Sequence, residues 1–283
     1  MPYIISEKPL EIMEALAKYK FLTVSQFIEL GISRHKQNVR AFLSELFKHT
    51  KPFAGKITYP LHPRNGRLEN LYYLTTNGVQ FLIDEMDYRE NEIKFPKNTS
   101  SLASSDYFHR VNTIYFQIFL NKWLEKNFFE LDFLHSYFDY NGANRVKKGE
   151  VGTLRAKTKV NIDENSYINP DMAFAFHTDK KPFLCLVEVH QGKDTLRLFR
   201  QIKEHQKALA DAKPSEAFGV NVGARTLFIF ELESCKQAVI KRINEVEDIK
   251  EYKGFFLFKT FDELYSDFFS NWSNTDGTLT NFI

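Results

Sequence analysis

Two almost uninterrupted apolar runs, MAFAF (172–176) and FLCLVEV (183–189), stand only six residues apart, with HTDKKP between them. Runs that are apolar at consecutive positions read as strands buried in the interior of a sheet. A six-residue turn-forming loop brings the second strand back beside the first as an antiparallel neighbour. Each run carries one carboxylate that does not fit this setting, Asp171 ahead of the first and Glu188 near the end of the second. Antiparallel pairing brings those two ends together. Carboxylates held close repel unless something positive lies between them. A divalent cation is the natural solution, because Mg²⁺ binds through one or two carboxylates, water and substrate phosphate.

The surrounding chain supplies the other layers. DYFHRVNTIYFQIFLNKWLEK is a long aromatic-rich amphipathic helix, residues 128–139 read as a strand, and 141–166 is a polar excursion. After Glu188, DTLRLFRQIKEHQKALAD is helical, with Leu196, Phe199, Ile202 and Leu209 expected to face inward. RTLFIFEL (225–232) is a further strand, SCKQAVIKRINEVE a helix, and GFFLFKTFDELYSDF a last strand and helix. This alternation predicts an α/β (α+β) mixed sheet flanked by helices.

The N-terminal third has a different pattern. Leu10, Ile12, Met13, Leu16 and Phe21 recur at helical spacing, and Thr23 or Ser25 is placed to cap a second helix that Gly31 ends. A third helix is expected from Ser33, with Val39, Phe42, Leu43, Leu46 and Phe47 as its apolar stripe. GKITYPL and RLENLYYLTT follow as extended pieces around HPRNGR, whose Asn65-Gly66 is a tight-turn signal, and TTNGVQFLIDEM closes with a short helix. Three helices and a hairpin are the order of a winged helix. Over residues 1–80 there are 11 Lys and Arg against 6 Asp and Glu, a net of +5, while the whole chain is +2. A basic third points to an anionic partner. Ser33, Arg34, Lys36, Gln37 and Arg40 at the third helix, with Arg64 and Arg67 at the hairpin tip, are the expected contacts to double-stranded DNA. A protein-binding winged helix with a solvated basic face is the alternative. The polar stretch 87–105 marks the boundary between a domain over 1–90, a linker over 91–105 and a second domain over 106–283.

Other classes fit poorly. The two cysteines, Cys185 and Cys235, make neither a disulfide framework nor a zinc site and fit a reducing, cytoplasmic setting. The start of the chain lacks the pattern of a signal peptide, and no uncharged apolar run approaches the ~20 residues that span a bilayer.

The Pro170-Asp171 and Glu188 arrangement resembles the PD-(D/E)xK nuclease core, with His190 where that pattern has lysine. A histidine donates a hydrogen bond but is less reliably cationic at neutral pH. The lysine role then falls to Lys193 or Lys203, or is absent. YYLTTNGVQFL, His109-Arg110, PDMAFAF, FLCLVEVHQGKDTLRLFRQIKEHQKAL and the tail RTLFIFELESCKQAVIKRINEVE together resemble the replication-relaxation family across nearly the whole chain. The family is similar to MobC-class plasmid mobilisation relaxases, which join a winged helix to a restriction-endonuclease-like domain. The resemblance implies nicking or relaxation of plasmid origin DNA with Mg²⁺ or Mn²⁺. It implies Asp171 and Glu188 as metal-binding catalytic residues, His190, Lys203 and His109 as candidate assistants, and a second copy or relaxosome proteins as partners. Whether water or a tyrosine attacks is left open. So is the reading that the chain is a non-catalytic replication initiator or regulator with a degenerate nuclease-like domain. A winged-helix transcriptional regulator with an effector pocket is a third reading.

Overall fold

The computed structural model describes residues 5–96, 106–142 and 153–283. The chain divides into two compact units, Met1–Ile118 and Phe119–Ile283.

In the N-terminal unit, α1 (Glu7–Tyr19) buries Ile12, Met13 and Leu16, the positions its apolar spacing marks. α2 (Val24–Glu29) begins at Thr23, whose hydroxyl accepts from the Gln26 backbone N–H while the Gln26 side chain accepts from the Thr23 N–H. This reciprocal pair satisfies two donors that the first helical turn leaves open. α3 (Lys36–Phe47) buries Val39, Leu43 and Leu46, one stripe at i, i+4 and i+7. It starts three residues later than its composition implied. Ser33 Oγ instead accepts from the His35 N–H at 3.1 Å, so Ser33 and Arg34 belong to the turn ahead of the helix. An antiparallel hairpin follows, β1 (Ala54–Ile57) with β2 (Leu71–Leu74), and α4 (Thr76–Met86) completes the unit. The strands part well before the tip, where His62 and Gly66 form an isolated bridge. Gly78 in α4 is obligatory, because a Cβ there would meet the Phe53 carbonyl oxygen at 2.1 Å.

Glu69 ties three of these elements. Its carboxylate accepts from the Ser25 N–H at 3.0 Å, from Ser25 Oγ at 2.9 Å and from Lys36 Nζ at 3.0 Å. Burial alone would raise its pKa, but the hydrogen bonds from Lys36 and Ser25 prevail and hold it below the usual carboxylate range. Glu69→Ala is expected to cost about 1 kcal/mol in urea unfolding, the scale of lost hydrogen bonds to a half-exposed charge.

The division between the two units falls within α5 (Tyr107–Asn127); of the expected 91–105 linker, residues 97–105 lie outside those described. The first turns of α5 pack into the N-terminal unit. Tyr107 meets the Tyr59 ring at 4.7 Å, the Arg110 guanidinium lies 5.3 Å from the Phe21 ring, and Gln26 Nε2 donates to the Val111 carbonyl at 2.9 Å.

In the second unit, β3 (Glu130–Ser136), β8 (Met172–His177) and β9 (Pro182–His190) form an antiparallel meander. Between β3 and β8 the polar excursion makes two small pairings, β4 (Tyr140–Asn141) with β5 (Arg155–Ala156) and β6 (Val160–Asn161) with β7 (Tyr167–Ile168). After β9 the chain crosses through α6 (Thr195–Ala210) and α7 (Lys213–Phe218) to β10 (Ala224–Phe230), which lies parallel to β9. It crosses again through α8 (Glu233–Ile243) and α9 (Glu247–Lys250) to β11 (Phe256–Thr260), parallel to β10. α10 (Phe261–Ser266), β12 (Trp272–Ser273) and β13 (Leu279–Thr280) finish the chain. The seven-stranded mixed sheet has the order β13-β12-β11-β10-β9-β8-β3.

The apolar runs are buried because both faces are covered. On one, Phe176 packs against Phe183, Phe282 and Trp123. On the other, Leu198 and Ile202 of α6 and Val239 and Ile240 of α8 cover Phe228, Phe230, Phe256 and Phe258. The inward stripe of α6 is Leu198, Ile202, His205 and Ala208, with Phe199 and Leu209 partly buried beside it. Leu196, expected inside, is 58% exposed. At 100° per residue it stands about 200° from Leu198, on the far side of the helix. Among the described residues, no helix is long and apolar enough to cross a membrane.

Candidate functional site

The register of β8 and β9 places the two acids. β8 and β9 pair from Met172↔Val187 to His177↔Pro182, and Asp171 stands just ahead of that ladder. Glu188 alternates along β9 with Val187 and shares its face with Leu186. This is the face α6 covers, the side of Ala173 and Leu186. The Asp171 N–H donates to the Val187 carbonyl at 2.9 Å, and Asp171 Oδ2 accepts from the Val189 N–H at 2.6 Å. The Asp171 carboxylate thus reaches across to β9, next to Glu188. Both acids are buried, Asp171 at 7% exposure and Glu188 at 2%.

α6 supplies the remainder of the site. Gln201 Nε2 donates to Glu188 Oε2 at 2.5 Å, and His205 Nε2 lies 2.6 Å from Glu188 Oε1. Gln201 and His205 are four residues apart, so one helical turn aims both at the same carboxyl. His205 Nδ1 is 3.2 Å from Thr226 Oγ1 on β10. Burial, then the neighbouring Asp171 charge, pushes the Glu188 pKa well up, against the opposing pull of Arg197 and of the Gln201 hydrogen bond. Burial, then the charge of His190, lowers His205 to about 3. Both shifts favour the uncharged forms of Glu188 and His205.

The other expected site residues are placed unevenly. His190, two residues beyond Glu188 on the same face, packs its ring 6.2 Å from Phe228 and 5.6 Å from Phe230. Lys203 does not reach the acids. It is exposed on the outer side of α6, with Nζ 5.1 Å from the Phe199 ring. Gln201 and Lys203 differ by about 200° around the helix, so only one of them can face the sheet. Lys193 is exposed in the loop after β9, and His109 belongs to the N-terminal unit. Sequence reasoning missed Gln201, His205, Thr226 and Arg197. A histidine on the apolar stripe of QIKEHQ was the available signal for His205.

The donor set favours a hard cation. Among the described residues, no three His, Cys, Asp or Glu form a metal cage. Two neighbouring carboxyls without sulfur ligands are oxygen donors of the kind that Mg²⁺ or Mn²⁺ takes together with water and phosphate, not a tetrahedral zinc site.

In the N-terminal unit, Arg34, Gln37, Arg40, Arg64 and Arg67 are exposed. Lys36 is exposed too, yet its ammonium is committed to Glu69. Ser33, half-buried, is engaged with His35. Compared with family models, with curated proteins and with solved structures, the chain matches none.

Proposed function

We propose that the chain is a plasmid- or mobile-element DNA-binding protein that nicks or relaxes origin DNA at Asp171 and Glu188 with Mg²⁺ or Mn²⁺. The observation that carries this reading is the position of Asp171 at the start of β8, its carboxylate accepting from the Val189 N–H at 2.6 Å and close enough to Glu188 for its charge to act on that carboxyl. The chain order α5–β3–β8–β9–α6–β10 supports a PD-(D/E)xK reading. It is a helix, an antiparallel meander, a crossover helix and a strand parallel to the last of the meander. Three helices, a hairpin and exposed arginines at both support a winged-helix reading of the N-terminal unit.

Asp171 and Glu188 hold the cation, while Gln201 and His205 fix the Glu188 carboxyl in place. A divalent ion at that pair supplies Lewis-acid polarisation of a phosphoryl oxygen and makes its bound water more acidic. His190 is the group positioned to donate a hydrogen bond to the phosphate. Arg34, Arg40, Arg64 and Arg67 bind backbone phosphates of the duplex, which makes affinity fall with salt.

A second reading, a DNA-binding initiator or regulator whose nuclease-like domain is a scaffold, is favoured by two observations. Lys203 turns away from the acids, and both Glu188 oxygens are already engaged by Gln201 and His205. Supercoiled plasmid incubated with the full chain distinguishes the two. We expect open circles in Mn²⁺ and none in EDTA. Retained DNA binding without open circles in Mg²⁺ or Mn²⁺ would overturn nicking and leave the scaffold reading.

A further inference from the structure

The outer face of α6 carries Arg197, Arg200, Lys203 and Lys207, spaced three, three and four residues apart and all exposed. That spacing keeps them on one side of the helix over about 15 Å. Some surface lysines are matched locally, as Lys8 is by Glu11 and Lys213 by Glu216. On α6 only Lys207 is matched, by Glu204 at 3.0 Å. Among the described residues Arg197, Arg200 and Lys203 make no ion pair. A second helix adds charge to the same place. Lys203 Nζ lies 5.1 Å from the Phe199 ring and the Arg242 guanidinium of α8 lies 5.7 Å from it. Arg242 Nη1 is buried without a hydrogen-bond partner among the described residues. Like charges gathered on one ring are relieved by a polyanion lying across them. The row also has a direction, because its Arg197 end is close enough to Glu188 to pull down that carboxyl's pKa.

We infer that this face of α6 is a second nucleic-acid contact, a track for the phosphodiester backbone of the strand delivered to Asp171 and Glu188. About 15 Å corresponds to four or five nucleotides at ~3.4 Å each. The inference rests on the nucleic-acid reading above but assigns it a surface outside the N-terminal basic residues.

The test is fluorescence anisotropy of a labelled duplex and a labelled single strand over a salt series, with the full chain. Arg200→Glu/Lys203→Glu should weaken binding at least about tenfold. It should also reduce the slope of log affinity against log salt by about two, since each duplex phosphate left without its cation removes about 0.9. Arg200→Gln/Lys203→Gln removes the same two cations without adding negative charge and should give the same slope reduction with a smaller loss of affinity and an unchanged thermal midpoint, which separates charge from misfolding. If the wild-type chain binds and both double variants keep its slope, the track is overturned while the nucleic-acid reading stands. If the wild-type chain shows no salt-dependent binding to either probe, the nucleic-acid reading falls and the track falls with it.

Discussion

Glu188→Gln is expected to lower metal-dependent nicking by more than about 100-fold while leaving DNA affinity and the fold unchanged. Outer-shell partners of catalytic metals cost 10–100-fold when removed, so loss of a ligand should exceed that range. The amide is close in shape to the carboxyl it replaces. Its oxygen can still accept from Gln201 Nε2, now 2.5 Å from Glu188, and its NH₂ can still donate to His205 Nε2, now 2.6 Å away. It cannot supply the negative charge that holds a cation beside Asp171. Asp171→Asn should behave the same way, because an amide oxygen preserves the hydrogen bond from the Val189 N–H. Rates of open-circle formation in Mn²⁺, with anisotropy and thermal melts as controls, give the comparison. Nicking by either variant within threefold of wild type would remove the acids from the chemistry.

Much of this site was legible as sequence because it depends on short-range pattern. The continuous apolar runs of β8 and β9 and the six residues between them implied antiparallel pairing. That pairing starts at Met172↔Val187 and leaves Asp171 and Glu188 as neighbours at one end of the two strands. The crossover helix was legible as well, but its phase was not. The expected stripe kept Ile202 but counted Leu196 as inward and left out Leu198 and His205. That left Lys203 as a candidate when Gln201 and His205 are the residues aimed at Glu188. Thr226 could not be anticipated, since its place beside His205 depends on how β10 pairs with β9, where Thr226 stands opposite Leu186. The division of the chain within α5 involves packing of the same kind. Composition marks the polar stretch 87–105, but Tyr107, Arg110 and Val111 are held by contacts to residues distant in sequence. Local pattern reports elements, whereas the side of an element that matters is set by partners it meets only after folding.

The buried Glu188–His205 pair should also shape the pH dependence of stability, measured by urea unfolding in EDTA. His205 is depressed to about 3 from an ordinary value of 6.5. Between those values the unfolded chain binds a proton that the folded chain refuses, so stability rises with pH up to 6.5. Glu188 is raised above 4.5, and there the folded chain keeps a proton that the unfolded chain releases. Its contribution is complete below 4.5 and is lost as pH climbs toward the folded value. Each proton corresponds to a slope of about 1.4 kcal/mol per pH unit. The two slopes oppose each other between 4.5 and 6.5, giving a plateau. Below 4.5 stability falls through His205, joined by carboxylates such as Glu263 and Asp276 whose pKa values are lowered in the fold. Above 6.5 Glu188 acts alone until Lys259, lowered to about 8, begins to oppose it. The limb above pH 6.5 is therefore diagnostic, and wild type should lose stability along it. Glu188→Gln removes the titrating group and should flatten that limb, making the variant more stable than wild type at pH 8 although it no longer nicks. A wild-type profile that is level from 6.5 to 8, or a Gln variant that is the weaker protein at pH 8, would mean that Glu188 does not hold its proton in the folded chain.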